Sequence, residues 1–204
     1  MIVIINYGMG NLGSVKNMLK KVGAEFKLSS SADDIKNASK LILPGVGSFD
    51  KGIRNLKEYG YFNLIKEKVL HQNTPILGIC LGMQLLGKSS EEGVENGFGF
   101  VDAIAKKFSF EEGAKLKVPH MGWNLVNIKK ENDIYQGVDG EQRFYFVHSF
   151  AIQCNDDKDI LTNSNYGYEF VSSFQKNNII GAQFHPEKSH KFGINFFKNF
   201  VEKY

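Results

Sequence analysis

Two cysteines in 204 residues, Cys80 and Cys154, cannot staple a fold. That scarcity excludes a disulfide scaffold and predicts a reducing, cytoplasmic setting in which any special cysteine works as a thiol. No apolar run approaches the roughly 20 residues that cross a bilayer, so no membrane partner is expected. The opening MIVIINYGMG lacks a basic leader and reads as a first strand, not as an export signal. Charge bias is small as well. Lys and Arg number 25 against 22 Asp and Glu, a net charge of +3, and the lysines are scattered, which argues against nucleic acid as a partner. No repeat, low-complexity tract or linker interrupts the chain, so a single domain over residues 1–204 is expected.

The first ninety residues alternate short β-branched runs with amphipathic stretches. Strands are expected at Ile2 to Ile5, Ala24 to Leu28, Leu41 to Leu43 and Pro75 to Ile79, and helices at Asn11 to Val22, Ser31 to Asn37 and within Ser48 to Leu70. Such alternation predicts an α/β fold whose central, largely parallel sheet is flanked by helices, with ligands beyond the carboxyl ends of the strands. The second half is expected to add antiparallel strands at Phe100 to Phe108, Leu125 to Ile128, Phe144 to Phe150, Gly167 to Phe174 and Ile179 to Phe184. Turn signals such as Asp139-Gly140 and Asn177-Asn178 join them, and a terminal helix runs from Gly193 to Tyr204.

Three motifs fall at carboxyl ends of strands. Gly78-Ile79-Cys80-Leu81-Gly82 has the shape of a nucleophile elbow, with small residues where a strand turns sharply into a helix. The helix start favours a thiolate at Cys80, and the Leu81 amide faces a developing oxyanion. LILPGVGSFD places the backbone amides of Gly45, Val46 and Gly47 at the same sheet edge, where they can complete an oxyanion hole. Among five histidines, His185 is set apart by the sequence HPE: in an extended segment Glu187 faces the same way and can hold the imidazole in its useful tautomer. His71 and His190 read as surface residues, whereas His120 and His148 fit either a site or the core. Cys154 reads as a space-filling thiol.

Other motifs fail. GMGNLG, Gly8 to Gly13, sits where a dinucleotide fingerprint belongs, but no acidic residue ends the second strand, so a tight turn or a loop facing a partner is the better reading. The His185-x-Glu187 pair lacks the P-C-x-x-C of a zinc deaminase, and no other grouping has metal-ligand spacing. Neither a metal nor a cofactor is expected.

Together LPGVG, GICLGMQ and QFHPEKS resemble the class I glutamine amidotransferases, over nearly the whole chain. NYGMGNLGSV, PHMGWN and YFVHSF narrow the likeness to the glutaminase subunits of imidazole glycerol phosphate synthases. The resemblance implies a Cys80, His185 and Glu187 triad that hydrolyses glutamine through a thioester. It implies an oxyanion hole from Val46 and Leu81, and glutamine contacts at Gly45, Gly47, Gln84 and Ser149. Asn11, Pro119, Met121, Trp123 and Lys188 then belong to or border a surface facing the partner, a (β/α)8-barrel cyclase that receives the ammonia for histidine biosynthesis. Related glutaminases serve surface-sugar synthases, so the acceptor stays open at this point.

Overall fold

The computed structural model describes residues 1–113 and 115–204. Its first half runs β1 (Ile2–Ile5), α1 (Leu12–Lys21), β2 (Phe26–Ser29), α2 (Ala32–Asn37), β3 (Lys40–Gly45), α3 (Phe49–Glu58), α4 (Tyr61–Leu70), β4 (Ile76–Cys80) and α5 (Leu81–Leu86). The second half runs β5 (Ser89–Ser90), β6 (Ala103–Lys107), β7 (His120–Ile128), β8 (Gln142–His148), β9 (Phe150–Cys154), β10 (Ile160–Tyr166), β11 (Tyr168–Lys176), β12 (Ile179–Ala182) and α6 (His190–Lys203). Every residue of β1, β4 and β12 is buried, which requires cover on both faces and explains their unbroken apolar runs.

The strands form one sheet in the order β2-β1-β3-β4-β12-β11-β10-β7-β8, with β9 branching from β11 and carrying β6 and β5. The stretch from β2 to β12 is parallel, and from β12 to β8 the pairing is antiparallel. One apolar cluster includes Ile53, Leu56 and Ile65 of α3 and α4, and the other includes Leu19 and Phe197 of α1 and α6. The expected α/β architecture is thus the observed one. Register places Gly45 opposite Cys80 and Ala182 opposite Ile79, so β3, β4 and β12 deliver their following residues to one edge.

Several boundaries move. The strand expected from Phe100 begins at Ala103, because Phe98 instead stacks on Phe62 of α4 at 4.5 Å and Phe100 on Phe98 at 4.9 Å. The strand expected over Leu125 to Ile128 starts five residues earlier, at His120. Its outward Met121 and Trp123 are apolar and mask the alternation. Phe144 to Phe150 divides at Ser149, since β8 pairs with β7 whereas β9 pairs with β6 and β11. The expected strand over Ala24 to Leu28 is observed at Phe26–Ser29, and β10 was not anticipated at all.

Candidate active site

Cys80 closes β4 and opens α5 with its backbone at φ 54° and ψ −111°. A residue with a side chain holds such a conformation at a cost of about 1–3 kcal/mol. Crowding enforces it. A Cβ at Gly78 would sit 2.7 Å from the Gly82 backbone, and one at Gly82 would collide with the Leu43 carbonyl. The G-x-C-x-G spacing is therefore a steric requirement of the turn. Cys80 faces a cavity of about 340 Å³ that Val46, Gly47, Leu81, Gln84, Pro119 and Ser149 also line, all singled out by sequence.

Gly45 requires a correction. It is buried at the end of β3 and does not line the cavity; a Cβ there would come within 2.7 Å of the Tyr7 hydroxyl and 2.9 Å of the Gly82 nitrogen. Its smallness serves the packing of the elbow. The Tyr7 hydroxyl beside it is buried without a hydrogen-bond partner, and burial together with the charge of Cys80 raises its pKa.

His185 lies three residues beyond the end of β12. Its N–H donates to the Tyr145 carbonyl at 2.8 Å, while the Ser189 hydroxyl donates to the His185 carbonyl at 2.7 Å and accepts from the Tyr145 N–H at 3.0 Å. Glu187 is not on an extended segment as expected but in a 3₁₀ turn, Pro186–Lys188. That turn still brings its Oε1 to 2.7 Å from His185 Nδ1, with both side chains only 2% exposed. A carboxylate can only accept here, so Nδ1 carries a proton and the buried Nε2 is the ring nitrogen left to exchange one with Cys80. Burial alone would depress the His185 pKa, but hydrogen bonding to, and the charges of, Cys80 and Glu187 outweigh it and raise it to about 10.

Sequence reasoning gave no role to Gln183, which is fully buried, with Nε2 3.8 Å from Cys80 Sγ and Oε1 accepting from Gln84 Nε2 at 3.2 Å. Its position two residues before His185 is the signal that could have found it. Glu92 was missed also. It lines the cavity, and its Oε2 accepts from the Phe49 N–H at 2.8 Å. His148 lines the cavity and His120 is buried behind it; burial lowers the pKa of His120 to about 4 and that of His148 to about 3, the latter aided by the nearby His120 and His185 charges. His71 is exposed beside Glu67.

Of the expected partner-facing residues, Trp123 and Lys188 meet around Tyr145, and Pro119 lines the cavity. Met121 is 62% exposed and Trp123 47%; the indole stacks on His190, at 5.5 Å, and Lys188 Nζ lies 5.6 Å over the Tyr145 ring. Asn11, also exposed, caps α1 through Oδ1, which accepts from the Ser14 N–H at 3.4 Å. The glycines before it make a tight turn: Gly8 and Gly10 have φ of 80° and 103°, and a Cβ on Gly10 would press 3.2 Å from Pro44. Gly13 has open space around its Cα, so it lacks the close helix–strand contact that the third glycine of a dinucleotide fingerprint makes. Cys154 lies far along β9, where burial and the carboxylates of Asp159 and Asp157 push its thiol up to about 12.

A cysteine held at a strained strand-to-helix turn, with a buried histidine and glutamate beside it at the carboxyl edge of a parallel sheet, is the apparatus of a thiol-dependent acyl-transfer enzyme. The family model "Glutamine amidotransferase class-I" matches residues 3–204, and the chain belongs to that family. Similar curated proteins include "Imidazole glycerol phosphate synthase subunit HisH 2" of Methanococcus maripaludis, 50% identical with 100% of both chains covered. The protein of the same name from Pseudomonas aeruginosa is 50% identical over 99% of each chain, and "subunit HisH 1" of Campylobacter jejuni is 48% identical over 98% of this chain and 99% of its own. Among solved structures, PurLQS from Thermotoga maritima superimposes with a TM-score of 0.73 at 17% identity, covering 98% of this chain and 96% of the other. A glutamine amidotransferase from the same organism gives 0.64 at 20% identity, over 99% and 83%. These two likenesses concern the fold.

Proposed function

We propose that this chain is the glutaminase subunit of an imidazole glycerol phosphate synthase, hydrolysing glutamine and passing ammonia to a cyclase subunit. The observation that carries the chemistry is the meeting of Cys80, His185 and Glu187 beside a cavity of amino-acid size. Cys80 Sγ attacks the side-chain amide carbon of glutamine, and its proton passes by way of His185 Nε2 to the departing nitrogen, which leaves as ammonia. The amides of Val46 and Leu81 receive the oxyanion. Water then gives a proton to His185, attacks the thioester and releases glutamate, and the proton returns to Cys80. Glu187 holds a proton on Nδ1 throughout, so every transfer uses Nε2. Glu92, an anionic side chain on the cavity wall, suits the α-ammonium of the substrate.

The acceptor half of the reading rests on full-length likeness to proteins named as HisH subunits and on the exposed edge around Trp123. A (β/α)8-barrel cyclase is the partner proposed for that edge. Ammonia released into water at neutral pH is mostly protonated and loses its nucleophilicity, so a docked channel gives the product its use.

The test is glutamate release with the chain alone, then with the cyclase and its phosphosugar substrate. Strong stimulation, abolished by Cys80→Ala in a variant that still binds the cyclase, is the expected result. Cys80→Ala with undiminished turnover would refute the nucleophile. An intact thiol that reacts with a glutamine-like electrophile but is not stimulated would redirect the acceptor to a sugar-amidating synthase.

A further inference from the structure

Two buried histidines next to the cavity take no part in the steps above, yet their hydrogen bonds admit only one assignment. His148 Nδ1 lies 2.8 Å from the Phe150 carbonyl, which can only accept, so Nδ1 of His148 carries the proton. His148 Nε2 is then an acceptor, and His120 Nδ1, at 3.1 Å, must donate to it. His120 Nε2 in turn accepts from Asn124 Nδ2 at 3.3 Å; the other hydrogen of that amide goes to the Asn165 carbonyl at 2.8 Å. From the opposite side, Gln84 Nε2 donates to the same Phe150 carbonyl at 3.0 Å and to Gln183 Oε1 at 3.2 Å, which leaves Gln183 Nε2 to face Cys80 Sγ at 3.8 Å.

We infer that His148, backed by His120 and Asn124, is a positioning residue for glutamine hydrolysis: it pins the Phe150 carbonyl and thereby holds the Gln84 amide in the orientation that the substrate meets. The inference rests on the glutaminase reading above. Both hydrogens of Gln84 Nε2 are used within the fold, so its Oε1 is the atom left to accept from a substrate N–H in the cavity that Gln84 lines. Were the Phe150 carbonyl free to turn, Gln84 could reverse its amide and present a donor there. The ring chain is directional, since every member donates toward Phe150, and a proton added at His148 Nε2 would confront the Nδ1–H of His120. Burial of both rings among Phe108, Phe146 and Phe170, with ring separations of 4.9 to 6.2 Å, keeps the two imidazoles neutral and in place.

The experiment uses the complex with the cyclase subunit, with sites counted by alkylation of Cys80 by a glutamine-like electrophile. His148→Leu removes the donor to Phe150 and should raise KM for glutamine roughly tenfold, as for one lost hydrogen bond, while kcat per counted site changes less. His148→Asn keeps a donor near the Nδ1 position and should recover most of that loss. Unchanged KM in His148→Leu, or His148→Asn no better than His148→Leu, would overturn the inference. Imidazole nitrogen shifts of the ¹⁵N-labelled wild-type chain at neutral pH give a readout that survives misfolding of a variant: both rings should be neutral with the proton on Nδ1. A proton on Nε2 of either ring would overturn the chain of donors. A wild-type complex inert toward glutamine but with both protons on Nδ1 would sink the glutaminase reading and uphold the hydrogen-bond chain.

Discussion

His185 and the pair His120 and His148 carry opposite linkages to pH. The pair has folded pKa values of about 4 and about 3, against roughly 6.5 in an unfolded chain. Between those limits the unfolded chain binds protons that the folded chain refuses, so their contribution to stability is whole above roughly pH 6.5 and falls as pH drops toward 4. His185, raised to about 10, contributes fully below roughly pH 6.5, and that contribution is lost as pH climbs through about 10. Urea midpoints measured from pH 7 down to pH 4 should therefore fall less steeply in His120→Asn than in the wild type. Parallel slopes would contradict the buried neutral pair. Residues of this kind are only half legible in sequence. The motifs PHMGWN and YFVHSF contain both histidines, but their pairing needs β7 beside β8, with His120 opposite His148.

At the scale of elements, α5 approaches β3 so closely that two glycines decide whether the elbow forms. Gly82→Ala drives a Cβ into the Leu43 carbonyl, and backbone cannot swing aside as a side chain does. A loss of more than about 3 kcal/mol is expected, against a gain of about 0.5 kcal/mol for Gly13→Ala, where the space is open and the residue is helical. Chemical denaturation of the two variants checks both signs; a Gly82→Ala chain as stable as the wild type would contradict the account of the turn. The same scale explains the missed strand. β10 turns Thr162 and Ser164 inward, and their hydroxyls are satisfied inside: Thr162 Oγ1 lies 2.8 Å from Ser172 Oγ and 2.7 Å from Ser173 Oγ, and Ser164 Oγ donates to the Leu125 carbonyl at 2.7 Å. A core face made of hydroxyls leaves no apolar period in the sequence.

At the scale of the whole molecule, the exposed apolar edge of β7 adjoins the cavity through Pro119, so a partner docked there would lie close to the cavity mouth. Trp123→Ala should weaken association with the cyclase by more than about tenfold, as truncation of a central aromatic does, while the isolated chain keeps its unfolding midpoint because the indole is half exposed. Calorimetric titration decides this, and unchanged affinity would move the docking surface elsewhere. The sequence by itself determined the elbow, because strand, small residues, cysteine and helix are contiguous and local sterics leave one solution. It also determined the parallel α/β half, whose apolar runs and helix periods are local signals. The tertiary structure alone decided what lies across chain gaps of tens of residues to a hundred: Gln183 beside Cys80, and His120 beside His148. Those contacts follow from which strands pair and in what register, and pairing partners distant in sequence leave no periodic trace in either strand.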